Sequence, residues 1–495
     1  MTLLKFRMVI LRYSLDSYKP DENQERLNNF AVINIHNNRK MMKAFKIPFI
    51  ISILFLTCCC QKDPLPDVSP LKCNFSSADI STLEGEQVSL AGFSDRKELS
   101  TGTHLKIRTY CLVITDGQQK VCIVNNDLME TAPALASEIR DRIAAGTGLD
   151  RKYILFNNLH THSAPRVTGT WAEPDGPNYA YKLRTLETIV ANAVKTINDE
   201  KAFREFNLEV GKTATYIPGN RCEKEGPVDA DVYAARFVSR AGEPICAIIN
   251  LACHPVCMGP KSLLLSSDYS GVARKKLAGK WGCEVFQFTG AAGNMDPADG
   301  PQTYEYAEKC GSSLYSSLAD IVFSPAGKDG ILKLFHNVSH LPYAIPEVTK
   351  EAVIAHAEAI KHMKTSFATW EEDVERWKKQ ILDEWDMPGK NYKSLDFDMT
   401  ALNVNGVIFF FSQGEPFCEY QMETREAFQS ETVFFAGYTN GQNAYLASKH
   451  GYQVRKGYEY EIEQMHIYTK SPYPLSETMP DVYQSSITET ISNVL

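Results

Sequence analysis

The sequence predicts an α/β protein, a layered mixed sheet with flanking helices forming a single domain. Three observations carry that reading. Strand-like and helix-like segments alternate through the body of the chain, as in layered α/β folds. The 495 residues, 44% hydrophobic and 23% charged, are ordinary for a globular protein and long enough to bury a large core. Glycine turns and polar residues follow the apolar runs, where α/β proteins carry their working loops.

The elements follow in chain order. Thr109 to Thr115 and Lys120 to Asn125 read as strands around the turn Asp116-Gly117. Ala134 to Ala145 is amphipathic, opens after Pro133 and closes near Gly146, which predicts a helix. The apolar run Tyr153 to Phe156 predicts a strand, and Ala164 to Pro177 is a loop rich in Gly and Pro. Tyr179 to Ile197 has helical periodicity. Ile245 to Leu251 reads as a buried strand, Asp268 as the cap of a helix reaching about Lys280, and Glu284 to Phe288 as another strand. Pro346 to Trp385 is a charged amphipathic helix or helix pair, with Trp370, Trp377 and Trp385 at helical spacing. Its tryptophans pack on the core or form a lid over an apolar substrate. Val407 to Phe411 is a further strand.

A net charge of -8 and a pI near 5.8 exclude a nucleic-acid partner, and no basic cluster offsets them. The N-terminus predicts export. From Met41 or Met42, Lys43 and Lys46 precede the apolar stretch Ile47 to Thr57, too short to span a bilayer as a mature helix. It ends in Cys58-Cys59-Cys60, in the manner of a bacterial lipoprotein box, so one of these cysteines is expected to anchor the protein to a membrane by lipid. Plain secretion is the alternative. The expected divisions are residues 1–60 for the upstream segment and signal, 61–80 for a Pro- and Ser-rich tether, and 81–495 for the working domain. The other ten of the 13 cysteines show no CxxC spacing, and Cys253 and Cys257 read as small buried hydrophobes.

The chemistry is concentrated after strands. Leu159-His160-Thr161-His162-Ser163 follows the Tyr153 to Phe156 run. In an extended segment residues i and i+2 point to one side, so His160 and His162 are expected to face one cleft. His254 follows the Ile245 strand in Ala252-Cys253-His254-Pro255; Glu415 follows Gly414, and Tyr445 closes Asn443-Ala444-Tyr445. Two imidazoles, a carboxylate and a further oxygen donor suit a catalytic zinc ion (Zn2+) that keeps a position for water.

These segments resemble the neutral/alkaline non-lysosomal ceramidase family, zinc-dependent amidases that cleave the N-acyl bond of ceramide. The family's Thr-His-Thr-His-Ser-Gly-Pro is matched by Leu159 to Pro165, its Ala-Cys-His-Pro by Ala252 to Pro255, and its Gly-Glu by Gly414-Glu415. Order and approximate spacing agree over residues 83–466. The resemblance implies His160, His254, Glu415 and Tyr445 as zinc ligands. His162 would then handle protons or hold a ligand in place, and Arg221, in Gly219-Asn220-Arg221, would stabilise an oxyanion or bind an acidic group. Tyr458 would hydrogen-bond the reacting carbonyl, with Tyr460 as a competitor. Typical members continue into an immunoglobulin-like domain, which is not expected here.

One segment departs from the pattern. The family reads Gly-Asp-Val-Ser-Pro, with the serine assigned as nucleophile, where this chain has Gly293-Asn294-Met295-Asp296-Pro297. Asp296 stands at the serine position, so zinc-activated water is the expected nucleophile and Asp296 a base, an orienting group or a substrate contact. An exported hydrolase of an N-acyl bond in a small molecule or lipid, with a sphingolipid among the candidates, is the leading expectation. A zinc hydrolase of another polar amide or ester, or a surface binding lipoprotein that has lost catalysis, are the alternatives.

Overall fold

Two β-sheets share one apolar interior in this computed structural model, which describes residues 70–94, 96–298 and 300–495. The larger sheet has nine strands. From one edge to the other it runs Glu284–Thr289, Pro244–Leu251, Asp231–Ser239, Arg204–Ala214, Lys72–Asp79, Arg108–Thr115, Lys120–Asn126 and Ile154–Asn158, with Ser324–Pro325 added beside Arg204–Ala214. Its middle pairings are antiparallel, but the outermost pair at each edge is parallel. Parallel neighbours need a crossover. Helix Pro133–Thr147 supplies it at one edge and helix Asp268–Trp281 at the other. Loops that follow the C-terminal ends of such strands are the usual place for a site in α/β sheets.

The sheet curls until its edges meet. Thr289 Oγ1 donates to the Leu159 carbonyl at 2.6 Å, and Asn125 Nδ2 donates to the Gln287 carbonyl at 3.1 Å. A second sheet, Leu332–Pro342, Ser394–Val404, Val407–Ser412 and Thr432–Ala436, packs against this seam. Buried asparagines lock the two together. Asn250 donates to the Phe435 carbonyl at 2.8 Å and accepts from its N–H at 3.0 Å, and Asn157 donates to the Gly437 carbonyl at 2.7 Å. Leu112, Leu155, Phe286, Phe288, Phe409, Phe411 and Phe434 fill the space between. Each fully buried side chain of this size contributes about 1.5–3 kcal/mol. Because these strands are covered on both faces they read as near-continuous apolar runs rather than alternating ones.

The structure moves three boundaries. The tether expected over 61–80 includes Lys72–Asp79, which is a central strand paired along its length with Arg108–Thr115. The first helix ends at Gly148, in the left-handed region at φ 72°, and Gly146 lies inside its last turn. Pro346 to Trp385 is a pair of helices, Lys350–Ile360 and Trp370–Asp383. Trp370 and Trp377 are buried with Val353, Ala357 and Ile381, while Trp385 stacks on Tyr392 at 3.8 Å, so all three serve packing. The described residues lie within one compact unit, Pro64–Leu495. The export signal and Cys58, Cys59 and Cys60 fall outside them. Among the described residues all ten cysteines are free, with Cys253 and Cys257 buried, and no helix is long and apolar enough to cross a membrane.

Candidate metal centre

The strand Ile154–Asn158 ends two residues before His160, whose backbone turns into the left-handed region at φ 69°. The two histidines are therefore not aligned by strand alternation. The turn brings them together instead, with His160 Nε2 and His162 Nε2 3.3 Å apart. Left-handed backbone costs a non-glycine residue roughly 1–3 kcal/mol and survives where neighbours impose it. Here the His160 N–H donates to Leu128 O at 2.8 Å and the Leu159 N–H to Asn126 O at 2.8 Å. His162 is seated by its own N–H on Pro255 O at 3.2 Å and by the missing side chain of Gly92. A Cβ on Gly92, whose φ is +99°, would lie 2.3 Å from His162 Cγ. Buried Arg96 ties three segments behind this wall, donating to the carbonyls of Ala91 (2.8 Å), His162 (2.9 Å) and Gly259 (3.1 Å).

His254 and Glu415 complete the cluster. Glu415 Oε2 lies 3.0 Å from His254 Nε2 and 3.4 Å from His160 Nε2. The carboxylate is reached through Gly414 at φ +65°, where a Cβ would come within 2.6 Å of Ala444 O. Its other oxygen accepts from the Gln442 amide. All four side chains of His160, His254, Glu415 and Gln442 are thus engaged at one point, and His160, His254 and Glu415 are almost wholly excluded from solvent.

The donor set fits a cation. His160 Nδ1 lies 2.9 Å from Met129 O and His254 Nδ1 lies 3.1 Å from Met295 O. A carbonyl only accepts, so each Nδ1 carries the hydrogen and each Nε2 presents a lone pair. The His254 lone pair then faces a carboxylate oxygen at 3.0 Å, two acceptors that need a proton or a cation between them. Ring nitrogens of His160, His162 and His254 all fall within 4.8 Å of one another. The 3.3 Å between His160 and His162 equals the separation, about 3.3 Å, of two nitrogens bound tetrahedrally at 2.0–2.1 Å from zinc. Burial raises the Glu415 carboxyl, but the neighbouring His160 and His254 imidazoles outweigh it and hold the group well below the usual carboxylate range. Burial, with His160 and His254 beside it, pushes His162 well below the usual imidazole value.

The remaining expected residues divide. Tyr445 is paired with Glu415 in a short parallel ladder, so both side chains leave the same face. Its ring lies beneath the Arg221 guanidinium at 5.5 Å, with Tyr460 at 5.7 Å on another side. Arg221 pairs with Glu461 at 2.9 Å and approaches Asp296 at 3.7 Å. Asp296 also lies 3.5 Å from His254 Nδ1, and its buried Oδ1 has no hydrogen-bond partner. Tyr458 is not brought to this group. Its hydroxyl donates to Glu223 at 3.3 Å, and its ring packs on Phe417 and near His450. Tyr460 opens a π-helical turn, Tyr460–Gln464, and this turn carries both Tyr460 and Glu461 to Arg221. Such turns are rare and concentrate at functional sites. Asn294 serves the scaffold, donating to Glu419 at 2.9 Å and accepting from the Cys418 N–H at the start of helix Cys418–Ala427.

Sequence reading missed Glu130, Gln442, Glu461 and Tyr438. Glu130 sits one residue beyond the carbonyl that holds His160; burial raises its carboxyl, and the neighbouring His160 opposes that rise. Nothing in its local pattern separates it from a surface glutamate. The same holds for Tyr438, at the end of an ordinary apolar strand.

Residues 74–280 match the family model described as neutral/alkaline non-lysosomal ceramidase, N-terminal. Among solved structures, neutral ceramidase from Pseudomonas aeruginosa is similar at a TM-score of 0.62 and 17% identity, over 86% of this chain and 74% of that one. A structure described as ceramidase complexed with C2 is similar at 0.61 and 15%, over 85% and 74%. At these identities the likeness establishes a shared fold.

Proposed function

We propose that this chain, whose residues 74–280 match the model of the neutral/alkaline non-lysosomal ceramidase family, is an exported, zinc-dependent hydrolase of an N-acyl bond. One observation carries the reading: a buried carboxylate set against imidazoles whose Nδ1 atoms are already committed to carbonyls. His160, His254 and Glu415 would hold the ion, with His162, whose ring nitrogen clusters with theirs, and Tyr445, the ladder partner of Glu415, as the further donors. When bound, zinc supplies an activated water nucleophile and polarises the scissile carbonyl.

The chain's own groups would do the rest. Arg221 is fixed by Glu461 and by the two tyrosine rings, so its charge is in place before substrate arrives, as stabilisation of a developing oxyanion requires. His162, neutral in its buried setting, has an unpartnered Nδ1 and can take up and pass on a proton. Asp296 faces His254 and Arg221, a position suited to orienting both. A polar amide is favoured over a purely apolar lipid by the charge gathered here, since Asp296, Glu130 and Arg221 all border the centre.

Purified protein should hydrolyse at least one member of a panel of N-acyl sphingosines, N-acyl amino acids and N-acyl sugars, and lose that activity on chelation. Activity on ester analogues alone would replace the amidase reading with an esterase one. For location, replacing Cys58, Cys59 and Cys60 together should release the protein from membranes and abolish labelling by a radioactive fatty acid. Equal membrane retention of the triple variant would remove the lipid anchor.

A further inference from the structure

Among the described residues Tyr438 is the one tyrosine whose ring packs against two of the clustered histidines. It stacks on His160 with ring centroids 4.2 Å apart and planes 26° from parallel, and meets His254 edge-on at 6.0 Å. Its side chain is almost fully buried, and its hydroxyl has no hydrogen-bond partner. A buried tyrosine hydroxyl normally finds one. An orphaned O–H in such a place costs about 1–3 kcal/mol and calls for an explanation.

The backbone gives a second sign. Tyr438 has φ 57°, an uncommon conformation for a bulky aromatic residue. The strain is held by both walls of the centre. The Tyr438 N–H donates to Gly414 O at 3.0 Å, next to Glu415, and its carbonyl accepts from the Asn158 N–H at 3.2 Å, two residues before His160. The charges that act most strongly on the phenol are Glu415, Arg221 and Asp296, the groups that border the reaction space. A phenol is protonated at neutral pH, so the group is available as a donor.

We propose that Tyr438 is the hydrogen-bond donor of the centre, its hydroxyl reserved for the oxygen of the bound acyl group. This inference rests on the hydrolase reading. It gives Tyr438 the part that the sequence suggested for Tyr458, whose hydroxyl is spent on Glu223. A donor fixed by strain and stacking is in place before the reaction and need not reorganise, the property that makes such donors effective.

The test is Tyr438→Phe, which keeps the ring and its stacking and removes only the oxygen. Zinc-loaded wild type and variant are compared in three ways: zinc per chain, kcat and KM on the best N-acyl substrate, and affinity for inorganic phosphate, a tetrahedral anion, by calorimetry. Circular dichroism and the melting temperature report folding. The expected result is unchanged zinc, a kcat lower by about 10²–10³-fold with little change in KM, and phosphate bound at least about tenfold more weakly. Unchanged kcat and phosphate affinity would overturn the proposal. Loss of zinc would also overturn it, making Tyr438 a metal ligand. A wild type that binds phosphate with zinc yet hydrolyses no N-acyl compound would defeat the hydrolase reading, and the phosphate comparison would still decide the role of Tyr438.

Discussion

His160→Ala and His254→Ala are expected to purify with little zinc and to lose nearly all hydrolytic activity. Each imidazole has its Nδ1 spent on a carbonyl, Met129 O or Met295 O, so the side chain is oriented to offer Nε2 to the ion. Residues that only support a ligand cost about 10–100-fold in metal affinity when removed, and loss of a ligand itself should exceed that. Stability should respond as well. Glu415 is 1% exposed and shares the centre with both histidines, so a variant that cannot hold the cation leaves a buried carboxylate without a counter-charge. Breaking a buried pair from one side costs about 3–5 kcal/mol. Metal analysis by mass spectrometry and thermal melts check both effects. Full zinc occupancy in both variants would remove these residues from the centre.

Arg221→Ala should lower kcat by about a hundredfold or more with little change in KM. The guanidinium is held at three points, by Glu461 at 2.9 Å and by the faces of Tyr445 and Tyr460, and Asp296 stands at 3.7 Å. Burial works against its charge, but the negative groups around it raise its pKa further, so it is charged at every working pH. Such a residue is arranged to meet charge that develops during reaction. Arg221→Lys should recover little, because one ammonium cannot span Glu461 and Asp296 while lying on both rings. Steady-state kinetics separate the cases. A large rise in KM at unchanged kcat would make Arg221 an anchor for a substrate carboxylate or phosphate.

Much of this was readable before folding because the decisive elements are local. The strands that carry His160 and His254 are short apolar runs closed by polar residues, and the first crossover helix announces its ends with Pro133 and, two residues further on than expected, Gly148. The curl of the sheet was not readable, since it depends on pairings such as Thr289 with Leu159, 130 residues apart. That curl brings the His160 loop beside the turn after Thr289. The route by which His160 meets His162 was also hidden, because a left-handed histidine leaves no mark on the residues around it. The choice between Tyr458 and Tyr460 turned on one residue of spacing, and the π-helical turn Tyr460–Gln464 carries Tyr460, not Tyr458, to Arg221. Lys72–Asp79 was missed as a strand because its polar residues, Asn74, Ser76 and Ser77, resemble linker composition, although Asn74 and Ser76 bond to helix Tyr179–Asn198.

The most direct measurement is a zinc titration of chelated protein, with hydrolysis of the best N-acyl substrate followed at each addition. Metal-free protein should be inactive, and activity should climb linearly to a break at one zinc per chain. His254→Ala should show no break over the same range. Full activity in protein shown by mass spectrometry to hold no metal would contradict a zinc centre at His160, His254 and Glu415.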